Sequence, residues 1–472
     1  MAERYDVVVV GARCAGATLA HDLAQAGLSV ALVDRARFPS DTLSTHFFQT
    51  PGVLTLQRLG LLDEMRAAGA PFIDHVDYRI EDVAGVEPFR LPEAPGANLC
   101  VRRTLLDAAL VRVAEEAGAH LRAESRVTSL VRSGERVTGV TYSDAAGRDR
   151  QIDATLVVGA DGTGSTVARL VGARRYHVLA NQRFAYWGYF EEAAEPGPPA
   201  LFFHRFADDA FYGFPCDAGL YVAAVLPPLD VLSSFASDLD GAFDATVARC
   251  EPLAAILAGA SRVGPLRGMA NYPFYFRESA GAGWTLVGDA GHFKDPAAGQ
   301  GIADAFRQAE RLAGDIIAGL GGTAPLDDVL IDWWAWRDAD AIDMHWLAAD
   351  LGAAGPVPAV LVEVLRDLQG SPDRLSDFWG LFHNGPRTRP SEVLTPERFT
   401  AVAERVAGTS LGPQVMAELA ASSELDEHRR RLVASPCFVE DAAHPNKASE
   451  LRRRPERNRS VLIGDPDRVE AS

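Results

Sequence analysis

The chain has 472 residues, enough for about three domains or for two interlocked α/β ones. Apolar residues make up 47% and charged ones 23%, which excludes a disordered or fibrous chain. A formal charge of −18 repels phosphate backbones and anionic lipids, so neither nucleic acid nor a membrane is the expected partner and a small molecule is.

Cys14, Cys100, Cys216, Cys250 and Cys437 are scattered and contain no C-x-x-C, so neither a disulfide framework nor a metal site is expected. Met1 leads into the apolar run at 7–10 without the features of a signal peptide. No apolar stretch reaches the ~18 residues of a membrane span. The expectation is a cytoplasmic enzyme.

In chain order, β-branched residues at 5–10 are followed by Gly11, an Ala/Leu-rich helix at 15–26 stopped by Gly27, and a second apolar strand at 29–33. Gly11-Ala12-Arg13-Cys14-Ala15-Gly16 thus sits between strand and helix, the context a dinucleotide fingerprint requires. Gly11 permits the tight turn, and Gly16 permits close packing of helix on strand. The helix amino terminus turns unpaired N–H groups toward a pyrophosphate. Arg13 replaces the middle glycine; its guanidinium either pairs with pyrophosphate oxygens or points to solvent. Asp34 follows the second strand near the ~20-residue offset at which a carboxylate accepts ribose hydroxyls.

A helix is expected from Val101 to Ala117, then alternating segments near 120–142 and a buried strand at 154–158 leading into Gly159-Ala160-Asp161-Gly162. Aromatic-rich alternating segments between 181 and 275 read as antiparallel sheet. The strand at 284–287 runs into Gly288-Asp289-Ala290-Gly291-His292, and Pro296-Ala297-Ala298-Gly299-Gln300-Gly301 opens a helix ending near Gly319. Beyond 351, helical stretches broken by Pro356, Pro358, Pro372, Pro386, Pro390 and Pro396 read as a helical cap.

The expected fold is α/β: a Rossmann-like nucleotide-binding domain over 1–75, 100–180 and 276–350, with an inserted antiparallel β-sheet substrate domain over 76–99 and 181–275. A helical C-terminal extension over 351–472 ends in a mobile polar tail.

The three glycine-bearing turns together resemble the class A flavoprotein monooxygenases, the para-hydroxybenzoate hydroxylase superfamily, whose relatives include geranylgeranyl reductases and flavin halogenases. The resemblance covers roughly residues 5–320. It implies FAD as cofactor, with Gly11, Arg13, Ala15, Gly16, Asp34, Arg35 and Arg103 on its adenosine and pyrophosphate side. Asp289, after Gly288, would hold the ribityl chain, and Pro296, Gly299, Gly301 and Ile302 would line the isoalloxazine. Asp161 and Gly162 would lie near the pyrophosphate and the nicotinamide cofactor. The implied reaction is reduction of FAD by NADH or NADPH, addition of O2 at flavin C4a, and hydroxylation of a small molecule by the hydroperoxide. The Ala/Arg/Asp-rich composition adds an association with secondary metabolism.

His46, His292 and Lys294 are the candidate catalytic residues, the first in the loop after the second strand and the others between Asp289 and Gly299. Each also has a structural reading, as a hydrogen-bonded histidine or an exposed charge neutralised by Asp295. His204, Arg205 and Tyr212 are candidate substrate contacts; strand alternation lets only one of His204 and Arg205 face the cavity. Two rival chemistries remain. A geranylgeranyl-type reductase is suggested by Phe211-Tyr212-Gly213-Phe214-Pro215, and a flavin halogenase by Trp334-Ala335-Trp336, which lacks the rest of the halogenase motif.

Overall fold

The computed structural model describes residues 3–88, 94–383 and 389–439. The expected polar tail from 440 onward, and positions 89–93 of the expected 76–99 segment, lie outside the described residues.

The elements that position the site are, in chain order, β1 (Glu3–Val10), α1 (Cys14–Gln25), β2 (Val30–Val33), α2 (Arg103–Glu116), β3 (Asp149–Gly159) and α3 (Thr166–Val171). They continue with β4 (Ala185–Glu191), β5 (Ala200–Phe206), β6 (Asp209–Pro215), β7 (Tyr221–Val225), β8 (Ser261–Met269) and β9 (Trp284–Leu286). The last are α4 (Gly301–Leu320), α5 (Leu326–Leu351), α6 (Ala359–Gln369) and α7 (Pro372–Gly380).

The first sheet is parallel at its centre. β1 pairs with β2 on one side and with β3 on the other, and β9 continues beyond β3. Val7, Val8 and Val9 of β1 are fully buried because both sheet faces are covered, which is why they read as a continuous apolar run. α1, α2 and α4 pack on one face. The strand order reverses at β1, the switch point outside whose carboxyl end α/β sheets bind ligands.

The second sheet runs β8-β4-β7-β6-β5 and then His75–Ile80 and Val83–Pro88. It is antiparallel except for one pair: β5 lies parallel to His75–Ile80. A parallel neighbour needs a long connection, and here it is the intervening nucleotide-binding segment that carries the chain between the two strands. One face of this sheet, with Trp187, Tyr189, Phe214 and Val222, packs toward Phe47 and the nucleotide-binding domain. Its other face packs on helices between 232 and 257. The C-terminal helices α6 and α7 share a core with the edge strands and with Ala297 and Ala298.

α5 carries the tryptophans. Trp333 is fully buried in the main core, Trp334 Nε1 donates to the Tyr176 hydroxyl at 2.7 Å, and Trp336 receives the Arg311 guanidinium 5.4 Å from its ring centre. All three hold the helix in place.

Candidate active site

Gly11 has φ +102°, and a Cβ there would sit 2.4 Å from Ala160 O; at Gly16 it would sit 1.8 Å from Gly11 O. Both are backbone collisions that no side-chain movement relieves, so these two turns demand glycine. Between them α1 begins with no side-chain cap and no acidic residue in its first turn. Its orphan N–H groups and its positive dipole end therefore face an open turn. A cradle that a methyl group would fill, backed by an uncapped helix, fits a pyrophosphate.

Asp34 is buried at the end of β2, where Oδ2 accepts from Ala12 N and Oδ1 from Ala36 N, each at 2.7 Å. It fastens the glycine turn to β2, and each oxygen keeps a lone pair for a ribose hydroxyl. Alongside lies a polar cleft of about 550 Å³ lined by Arg13, Arg35, Ser40, Asp41 and Arg126 among others. That volume lies within the range of small-molecule sites.

Arg13 turns inward. It pairs with Asp107 of α2 through a short contact and donates to Ser40 Oγ and Asp41 O, each at 3.1 Å. Arg103 Nε, one helical turn before Asp107, reaches its other oxygen at 2.8 Å. Asp107 is fully buried, so two guanidiniums share one dry carboxylate and the group keeps a net positive charge beside the pyrophosphate cradle. Sequence reading missed Asp107; its position four residues after Arg103 was the available signal.

Gly288 (φ +63°) presents Asp289 in a single helical turn, and a Cβ on Gly288 would lie 3.0 Å from the Ala15 Cβ. This brings the first and last glycine motifs together. Burial pushes the Asp289 carboxyl up to about 6, against the opposing charges of Arg103 and Lys294. Lys294 is buried and ion-paired with Asp304 of α4 at 2.7 Å, and it donates to Gln300 Oε1 at 2.6 Å. Its amine braces the loop from within.

The loop at 295–300 is gripped from several sides. Asp295 accepts from Ala297 N at 2.9 Å, Gln49 Nε2 donates to Ala298 O at 3.0 Å, and the Tyr212 hydroxyl donates to Ala297 O at 2.9 Å. Gly299 (φ +65°) then turns the chain into the uncapped start of α4, with Gly301 and the buried Ile302 in its first turn. Pro296 opens the turn. From the C-terminal region Gln300 Nε2 donates to Phe382 O at 3.2 Å, and His383 Nδ1 lies 2.6 Å from Thr50 Oγ1. Burial raises the Asp295 carboxyl to about 7, outweighing Arg183 and Arg205.

His46 (φ 67°) is fully buried at the junction of the two sheets. Its Nδ1 accepts from Arg103 N at 3.3 Å, its Nε2 meets the Tyr189 hydroxyl, and burial lowers its pKa to about 4. The remaining candidates face elsewhere. His292 packs against Phe276 and His345 with ring centres 4.4 and 5.7 Å away, and burial keeps it neutral. His204 and Arg205 do occupy opposite faces. His204 stacks on Phe202 and lies 3.1 Å from Asp77, while Arg205 donates to the carbonyls of Asp350, Leu351 and Ala353 at the end of α5. Asp161 caps α3, accepting from Thr166 N and Ser165 Oγ at 2.6 Å, with Gly162 (φ +77°) making the turn.

A switch-point cradle, a buried carboxylate at the end of β2 and two further glycine turns packed against the cradle fit a dinucleotide, as in FAD-dependent oxidoreductases. Residues 4–197 match the FAD binding domain family. The chain is 30% identical over 343 residues to a menaquinone reductase of Mycolicibacterium smegmatis, covering 68% of this chain and 78% of that protein. It is 24% identical to a 1H-pyrrole-2-carbonyl-[peptidyl-carrier protein] brominase of Pseudoalteromonas luteoviolacea, over 78% of this chain and 92% of that one. A kynurenine 3-monooxygenase of Salinispora tropica is 29% identical over 199 residues, 40% of this chain and 42% of its own. The chain belongs to the para-hydroxybenzoate hydroxylase superfamily of FAD-binding enzymes, the class A flavoprotein monooxygenases and their relatives.

Proposed function

We propose that the protein is an FAD-dependent monooxygenase that uses NADH or NADPH and O2 to hydroxylate a planar, largely apolar small molecule in the cytoplasm. The observation that carries this reading is the apolar and aromatic packing around the loop at 295–300. Phe47 lies against Gly299, Phe214 stacks on Phe47 with ring centres 4.6 Å apart, Tyr212 reaches Ala297, and Phe382 shares a core with Ala297 and Ala298; of these aromatic residues all but Tyr212 are buried. FAD when bound would supply the electron transfer and oxygen activation.

The chain's own residues bind, orient and exclude water. Gly11, Gly16 and the start of α1 would hold the pyrophosphate, Asp34 the ribose, and Asp289 the ribityl chain. The start of α4 offers its positive dipole end to negative charge at the isoalloxazine edge. Gln49 and Tyr212 fix the carbonyls of Ala298 and Ala297, so the loop is set before ligand arrives.

A second reading is favoured by a specific observation. The Tyr189–His46 pair could deliver a proton beside a substrate, as hydride transfer to a carbon–carbon double bond requires, and the menaquinone reductase likeness agrees with it. Halogenation finds less support, since Trp333, Trp334 and Trp336 are engaged in helix packing. NAD(P)H oxidation with a panel of planar substrates, run with and without O2, separates the readings. Oxygenation requires O2 for product; reduction proceeds without it.

A further inference from the structure

His46 Nδ1 accepts a hydrogen bond from Arg103 N, so in the neutral ring the proton sits on Nε2. That N–H donates to the Tyr189 hydroxyl, whose ring stacks on His46 with centres 5.5 Å apart. The phenol therefore accepts from His46 and must direct its own proton elsewhere. Among the described residues it has no acceptor for that proton. It lines a pocket of about 160 Å³ whose other polar side chains are Asp41, Arg102, Thr104 and Arg267.

That volume is well below the ~300–1,000 Å³ of sites that enclose a whole small molecule, so the pocket has room for one functional group. Two guanidiniums and one carboxylate line it, and a ligand anion that displaces Asp41 would leave Arg267 to pair with the ligand. Arg102 is anchored from behind by the buried Asp217 at 2.8 Å. Arg267 is paired with Asp41 at 2.6 Å, and its Nε has no hydrogen-bond partner among the described residues. Asp41 lies on a half-exposed loop and can be displaced without disturbing a core.

We propose that this pocket is an anion subsite that binds a carboxylate of the ligand through the Tyr189 hydroxyl and the Arg267 guanidinium, the ligand displacing Asp41. A phosphate presents the same anionic oxygens, and the assay below tells the two sources apart. The inference deepens the functional reading by naming a substrate class, yet it holds for oxygenation and reduction alike.

The test is calorimetric titration of the full-length, FAD-loaded protein with benzoate, with its neutral analogue benzamide and with inorganic phosphate. Benzoate is expected to bind saturably, and benzamide about tenfold more weakly. Tyr189→Phe and Arg267→Met should each weaken benzoate about tenfold, the loss expected for one charge-assisted hydrogen bond. Asp41→Asn should tighten it several-fold by removing the internal competitor, a gain that damage to the fold does not produce. Phosphate binding with the same variant pattern in place of benzoate would keep the subsite and assign it to a phosphate-bearing ligand. Equal binding of benzoate and benzamide, no saturable anion binding, or an Asp41→Asn protein no tighter than the parent would overturn the proposal.

Discussion

Replacing Asp107 by Asn isolates the charge arrangement beside the pyrophosphate cradle. Asp107 is fully buried and carries Arg13 on one oxygen and Arg103 on the other, with Cys14 Sγ 3.6 Å away. Removing one partner of a buried pair costs about 3–5 kcal/mol, because the remaining charge stays desolvated. The Arg13 side chain is 26% exposed and can turn toward water, whereas that of Arg103 is 11% exposed and cannot. The low end, about 3 kcal/mol, is therefore expected in the FAD-free protein. Pyrophosphate would supply two negative charges to the orphaned guanidiniums, so the deficit should shrink by about half on FAD loading. Urea unfolding of parent and Asp107→Asn, each with and without FAD, measures all four stabilities. A loss under about 1 kcal/mol without FAD, the range of a solvent-exposed pair, would refute the buried-pair reasoning. An undiminished deficit with FAD would refute the placement of these arginines beside the pyrophosphate.

Gly11→Ala drives a methyl group to 2.4 Å from Ala160 O in a left-handed turn, so the purified variant should retain little FAD, read from its visible absorbance. Gly352→Ala would bring a Cβ to 1.9 Å from Asp295 Oδ2, which must move and drag the loop at 295–300 with it; a lowered melting temperature together with lost turnover is expected. Burial raises the Asp295 carboxyl from 3.8 to about 7, so the folded state binds the extra proton between those values. Its stabilising contribution is complete below pH 4, declines as the pH rises through 7 and is flat above, a span of about 4 kcal/mol at most. Asp295→Asn should therefore overtake the parent in stability as pH increases, and urea midpoints at pH 5 and 8 that shift in parallel would contradict this.

The parts of the site that were legible in the sequence are those built by short-range chemistry. Gly11, Gly16, Gly288 and Gly299 each sit where a turn or close packing excludes a side chain, and their strand-before, helix-after context is local. Asp34 follows from spacing along one βαβ unit. Alternation also separated His204 from Arg205, but periodicity says nothing of what lies across each face. Only the fold reveals that Arg205 holds the end of α5 and that His204 meets Asp77. The partnership of Arg13 with Asp107 and the parallel pairing of β5 with His75–Ile80 join residues far apart in sequence, beyond the reach of local pattern. The same holds for Gln300 meeting Phe382, through which the C-terminal region closes on the loop.

The most direct test of the proposed oxygenation is mass spectrometry of the product formed by the FAD-loaded protein with NADPH or NADH under 18O2. The account predicts one 18O atom in a product heavier than its substrate by a single oxygen. A product that carries no label, or that forms equally well without O2, would contradict it.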